Sequence, residues 1–307
     1  MNTRRDFFES CAGMALPALS SAAAAGADVP LLPTVPLGKH RVTRLVIGAN
    51  PFYGYAHFNQ ILSQHMEEWF TPEHVCDTLR RSEQCGIDTW QFSHSDRSIS
   101  DIQRHRAAGG RLQWILTTSS RMLDSQTLTA QMAAMKPIAI VHQGVSTDNR
   151  WAAGEQNKIR EFLKWVRDTG VLVGLASHNP AIIEAVEEQE WDVDFFMCAV
   201  YRYNRTRAEW SKALSGEMTV GETYLEKDPE RMYRVIRQSK KTCFAFKILA
   251  AGRLQSPQEI DRAFRLAFEN IKPKDGVIVG MYPRFSDQVK ENADRCRRFA
   301  VDADASG

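Results

Sequence analysis

The chain has 307 residues, 43% hydrophobic and 25% charged, and its 39 Lys plus Arg stand against 37 Asp plus Glu for a net charge of +2. So even a balance leaves no basic stripe to neutralise a phosphate backbone, which excludes nucleic acid as an expected partner. Aromatic residues at 9% and the lack of long charged or Pro/Gly-rich tracts exclude a chain that is disordered through most of its length.

The first feature in chain order is an N-terminal segment. Arg4 and Arg5 stand ahead of Phe7 and Phe8, and residues 10–27 carry no charge and are rich in Ala, Ser and Leu. This resembles a twin-arginine export signal, with small residues at 22–27 for cleavage. Pro17 and several serines make the apolar stretch too weak for a permanent membrane span. The expectation is a soluble protein of residues 28–307, delivered by the twin-arginine translocase to the periplasm or beyond. Beyond Cys11 the cysteines are Cys76, Cys85, Cys198, Cys243 and Cys296, an odd and scattered set without a Cys-x-x-Cys pair. They read as buried small hydrophobes, not as a disulfide framework or a thiolate zinc site.

From Arg44 onward, short apolar runs alternate with longer amphipathic stretches. The runs are 45–47, 87–92, 112–116, 138–141, 171–175, 195–200, 244–248 and 277–279. None shows strict polar alternation, so each reads as a strand buried on both faces. Between them, helices are predicted over 72–84, 156–168, 180–188, 229–238, 257–268 and 286–299. Thr71-Pro72, Asn179-Pro180 and Ser256-Pro257 place a capping side chain before a proline at the first helical position. Gly86 and Gly170 close helices ahead of strands. Eight strands, each followed by a helix, predict a single (β/α)8 barrel, with residues 203–227 long enough to form a lid over its mouth.

Chemistry in such barrels gathers at the C-terminal strand ends. The residues placed there are Asn50 after the first strand, and Gln91, His94, Asp96 and Arg97 on or after the second. His142 and Gln143 follow the fourth strand, His178 the fifth, Tyr201 and Asn204 the sixth, and Lys247 ends the seventh. His142, His178 and Asp96 have the donor types for a divalent ion with open positions; the alternative is that the histidines contact substrate directly or move protons. Lys247 reads either as an anchor for an anionic group or as a Schiff-base nucleophile. Trp151 and Trp210, in polar loops, are candidates for stacking on a sugar ring.

Residues 37–52, Gly86-Ile87-Asp88-Thr89-Trp90, 173–178, 246–254, 277–281 and 288–292 resemble segments of the aldo/keto reductases. That resemblance implies a nucleotide cofactor, NADP(H), with Arg284, Glu291 and Asn292 at its adenine and phosphate end. It also implies a catalytic tetrad, of which only His142 is matched. Gln91 stands in place of the aspartate, no tyrosine follows within residues 93–97, and Thr117-Thr118 replaces the lysine. Without a phenol and its activating cation, hydride delivery loses its usual proton donor. The leading expectation is an exported barrel enzyme acting on a carbonyl or polyol substrate, sugar-like in its chemistry, by acid/base or metal-assisted elimination, isomerisation or hydrolysis. The rivals are an NADP(H)-dependent oxidoreductase with a substitute proton donor and a non-catalytic sugar-binding barrel.

Overall fold

The computed structural model describes residues 30–300. The export-signal segment 1–27 lies outside the described residues. A hairpin comes first, β1 (Thr34–Leu37) paired antiparallel with β2 (His40–Thr43). Eight parallel strands follow: β3 (Leu45–Gly48), β4 (Thr89–Ser93), β5 (Gln113–Thr117), β6 (Ala139–His142), β7 (Leu172–Ser177), β8 (Phe195–Ala199), β9 (Thr242–Phe246) and β10 (Gly276–Gly280). They close into a ring in sequence order, sealed where Val277 and Val279 of β10 pair with Leu45 and Ile47 of β3. The predicted barrel is therefore the fold, and each apolar run forms one of its strands with ends shifted by one or two residues.

The helices fill the intervals. In chain order they are α1 (Gln60–Trp69), α2 (Pro72–Gln84), α3 (Asp96–Ala107), α4 (Ser120–Leu123), α5 (Gln126–Ala134) and α6 (Gly144–Ala152), then α7 (Gln156–Asp168), α8 (Pro180–Glu188), α9 (Arg207–Ala213), α10 (Asp228–Gln238), α11 (Pro257–Asn270) and α12 (Gln288–Phe299). Local chemistry starts them where the sequence signals predict. Thr71 accepts from His74 N, Asn179 from Ala181 N, and Ser256 forms a reciprocal capping box with Glu259. Among the described residues, no helix is long and apolar enough to cross a membrane. Cys76, Cys85, Cys198, Cys243 and Cys296 are buried free thiols.

Two apolar layers follow from strand alternation. Val46, Ile115, Ala139, Val141, Ala176, Phe195, Met197, Phe244 and Ile278 point into the barrel, where Val35, Leu37 and Val42 of the hairpin plug the floor. The alternate residues, including Trp90, Phe92, Ile140, Leu175 and Phe196, face the helices in the larger core. Both sides of each strand are thus dry, which explains the continuous hydrophobic runs.

The interior is full at the middle of β7. A Cβ on Gly174 would stand 2.6 Å from Phe195 Cζ and 2.8 Å from Val141 Cγ2, inside van der Waals contact. Gly174→Ala should therefore lower unfolding free energy by about 1–3 kcal/mol, read as a reduced urea midpoint with an unchanged slope. An unshifted midpoint would show that the barrel interior has slack there.

Candidate active site

The strand alternation decides which polar side chains reach the mouth. Gly174 and Ala176 of β7 face inward, so His178 continues that face while Ser177 turns outward toward α6. There the carboxylate of Asp148, only 8% exposed, receives four hydrogen bonds. Ser177 Oγ donates at 2.5 Å, His178 N at 3.2 Å, His178 Nδ1 at 2.8 Å and Asn204 Nδ2 at 2.6 Å. A carboxylate accepts from Nδ1–H, so the imidazole carries its proton on Nδ1 and offers the Nε2 lone pair. Nε2 has no hydrogen-bond partner among the described residues. Burial lowers the His178 pKa, and the bond and charge of Asp148 only partly restore it, with Lys247 lowering it further. Desolvation outweighs the carboxylate, and the ring is a neutral base at pH 7. Space for it is kept by Gly144, where a Cβ would meet His178 Cε1 at 3.0 Å.

Three loops converge on the same point. Tyr203, after β8, sets its ring edge-on to His178 at 4.8 Å, lies 5.4 Å from the ring of His57 after β3, and stacks on Tyr224 at 6.0 Å. Lys247, after β9, holds Nζ 5.0 Å from the centre of the Tyr203 ring. His57 Nδ1 lies 3.0 Å from both carboxylate oxygens of Glu222, and its Nε2 is 3.3 Å from Asn50 Nδ2. Arg253 ties the loops together: it stacks on Tyr224 at 4.0 Å and donates to the carbonyls of His57 and Glu222, each at 3.0 Å.

Lys247 is the unusual member. Its φ of 62° lies in the left-handed region, as do those of Ala250 (49°) and Ala251 (52°) in the turn that follows. Each such non-glycine residue costs on the order of 1–3 kcal/mol. The turn interrupts the β9 alternation just after inward-facing Phe246. The Lys247 ammonium has no hydrogen bond or ion pair to a protein group among the described residues, and burial pushes its pKa down to about 7, against the opposing pull of Glu222.

The sequence-predicted residues divide sharply. His178, Lys247, Asn50 and Asn204 come together here. Gln91 and Gln143 lie on the interior side of their strands; Gln91 Nε2 donates to Thr117 Oγ1 at 2.7 Å and Gln143 Oε1 accepts from Ser146 Oγ at 2.8 Å. Tyr201 packs on Tyr224 at 5.4 Å.

His142 requires correction. Ala139 and Val141 face the interior, so His142 faces the helices, packed on Phe162 at 5.5 Å. Its Nδ1 bonds Thr147 Oγ1 at 2.7 Å, its Nε2 is buried without a partner, and desolvation, followed by the charge of Arg150, pushes its pKa down to about 3. Asp96 is likewise displaced. It is the first residue of α3, its side chain is 87% exposed, and it pairs with Arg121 at 3.4 Å, where its charge complements the helix dipole. His142, His178 and Asp96 therefore form no ligand set, and no group of three or more such donors suited to a metal occurs among the described residues.

His94 turns outward to Ser119 Oγ at 2.8 Å, and Arg97 is spent on the Phe70 carbonyl and the Tyr53 ring. Trp151 packs on Trp191, and Trp210 is buried beneath Arg205, so neither offers a sugar platform. The residues expected to meet a dinucleotide are partly engaged within the chain. Asn292 Oδ1 accepts from Arg295, itself bound to Asp261. Glu291 lies 3.8 Å from Arg295, and exposed Arg284 stacks on Phe285. The N-terminus of α12, where a phosphate would sit, is capped by the carboxylate of Asp287, which is also bound by Arg81 at 2.6 Å.

The residues that sequence reasoning missed are Asp148, His57, Glu222, Tyr224 and Arg253. Only Asp148 left a trace, as an acid on the early turns of the helix that follows His142.

No protein-family profile and no curated protein sequence matches the chain. Among solved structures, a truncated form of 3-deoxy-D-arabino-heptulosonate 7-phosphate synthase from Thermotoga maritima is 11% identical at a TM-score of 0.52, covering 87% of this chain and 91% of its own. Gox0644 in its apo form is 12% identical at a TM-score of 0.54, covering 89% and 90%. A mutant of Gox0644 in complex with NADPH is 10% identical at 0.54, covering 90% and 92%. At such identities the likeness is one of fold, and it extends over nearly the whole barrel.

The outward place of His142 has a measurable consequence. Folded, it stays neutral down to about pH 3, whereas in the unfolded chain it binds a proton near 6.5. The unfolded state then holds more protons between those values, so this residue's effect is to lower stability as pH falls from 6.5 toward 3. His142→Leu should remove that dependence: relative to the variant, the wild-type urea midpoint should drop between pH 6.5 and 4. Parallel pH profiles of the two proteins would refute the placement.

Proposed function

We propose that this chain is an exported barrel enzyme, similar in scaffold to the aldo/keto reductases, that acts on a polar carbonyl or polyol substrate such as a sugar derivative by acid/base chemistry. The observation that carries this reading is the His178–Asp148 pair: a neutral imidazole fixed by a buried carboxylate, with Nε2 free at the strand ends. In that tautomer His178 takes a proton from carbon or oxygen of the substrate while Asp148 stabilises the imidazolium that forms. Lys247 lies beside it without a protein counter-ion and polarises the substrate oxygen. Tyr203 and Tyr224 offer stacked faces to an apolar edge of the sugar, and the 203–227 segment acts as a lid that excludes water. Elimination and isomerisation both need this one proton transfer next to a carbonyl.

Deuterium incorporation from D2O into dihydroxyacetone, glyceraldehyde and C4 to C6 ketoses, followed by NMR, tests the chemistry. His178→Ala should slow exchange by about 10²–10⁴-fold, and Asp148→Asn should slow it by permitting the wrong tautomer. Wild-type activity should fall on the acid side with a midpoint below that of an ordinary histidine, because the His178 pKa is lowered and its protonated form is no base. Absence of exchange with every probe, or full exchange in His178→Ala, overturns the reading.

Export is supported by the Arg4-Arg5 pair ahead of the uncharged stretch. Replacing both by lysine should leave the protein in the cytoplasmic fraction of a bacterial host. Unimpaired delivery to the periplasm would dismiss a twin-arginine route.

A further inference from the structure

We propose that Lys247 is a covalent nucleophile that forms an imine with the carbonyl carbon of the substrate. This rests on the reading of the barrel mouth as a carbonyl-processing site and adds a step to it.

Four observations lead there. Lys247 Nζ has no hydrogen bond or ion pair among the described residues, although Lys272, Lys241 and Lys274 in the same barrel each donate to backbone carbonyls. Its backbone is held at φ 62° in a turn with two further left-handed alanines, fastened where Ala250 N donates to Lys247 O at 2.8 Å and Arg253 Nη1 to Ala250 O at 3.2 Å. An anchor for an anion needs none of this strain, since a long flexible side chain finds a counter-charge from many backbone positions; a nucleophile needs one defined direction. The amine lies against the Tyr203 ring, which also touches His178. Finally, the charged groups that face it are one of each sign: Glu222 favours the ammonium more than Arg253 opposes it, and burial outweighs both and favours the free amine.

The step balances with the groups present. The Nζ lone pair adds to the carbonyl carbon as the C=O π pair moves to oxygen, which takes a proton. The resulting carbinolamine loses that oxygen as water, and a C=N bond replaces C=O. His178 Nε2 is the acceptor and donor for the protons moved, with the Tyr203 hydroxyl, which has no hydrogen-bond partner among the described residues, as a second donor. The imine, once protonated, is a stronger electron sink than the ketone and makes the adjacent carbon acid enough for His178 to deprotonate.

The test uses the full chain with glycolaldehyde, dihydroxyacetone and sodium cyanoborohydride at pH 7, with adducts mapped by peptide mass spectrometry. At that pH an ordinary lysine is on the order of 10⁻³ or less free amine, so Lys247 should be modified at least tenfold faster than any exposed lysine such as Lys212 or Lys240. Its rate should level off above pH 8, while theirs keep rising. Lys247→Arg should abolish the fast phase and keep the circular dichroism spectrum. Labelling spread over the exposed lysines, with Lys247 no faster than they are with either probe, overturns the proposal. Deuterium exchange in Lys247→Arg separates the two readings: exchange at the wild-type rate overturns the covalent step and leaves the acid/base site standing. A fast adduct on Lys247 without any exchange in wild type upholds the nucleophile and sinks the proton-transfer reading.

Discussion

Closure of eight parallel strands forces each strand to give alternate side chains to the barrel interior and the helix layer, and every feature of the site depends on that division. The strands are too short and too buried to bend around an exception. Ser177 and His178 are neighbours, yet one turns to α6 and the other to the mouth, and this is why a single carboxylate on α6 can bind both. The same rule turns His142 onto Phe162 and leaves it no role at the mouth. A one-residue change of phase would exchange the parts of these two histidines.

Desolvation is the second organising force, and it acts on bases and acids in opposite directions. It keeps His142 uncharged among the helices and His178 uncharged at the mouth, and it brings the Lys247 amine within reach of losing its proton near neutral pH. For His178 the nearby carboxylate opposes this effect without reversing it. Asp148 therefore orients the ring more than it charges it, which is the part a carboxylate plays when a neutral imidazole is to act as base. The left-handed turn at 247–251 is a cost that hydrophobic burial of the barrel can bear, because two full apolar layers flank the strands.

The solved structures that superpose on this chain share its barrel, and their low identities transfer nothing to its site. Within the chain, the segments resembling aldo/keto reductases fall on the N-terminal hairpin, on barrel strands with their following loops, and on the start of α12. Those segments carry scaffold residues such as Val277 and Val279, which seal the ring. Of the groups that converge at the mouth, His178, Lys247, Asn50 and Arg253 lie in those segments, whereas Asp148 comes from α6, Tyr203 and Glu222 from the loop after β8, and His57 from the loop after β3. Resemblance and site therefore overlap at His178 and Lys247, while the groups that orient them come from outside it.

Hydropathy and local capping determined the eight strands, their order and the helix starts, because burial on both faces and a satisfied helix terminus are properties of short stretches of sequence. They also placed His178 and Lys247 at strand ends. What they left open was phase and partnership. Whether a residue at a strand end faces in or out turns on a single position, and strand ends are the least determined feature of a run; His142 was misplaced for that reason. Glu222 meets His57 across 165 positions of sequence, and Asp148 meets His178 across 30. Neither pairing has a spacing to read, since it is the ring of strands, not the chain between them, that brings their loops to one side.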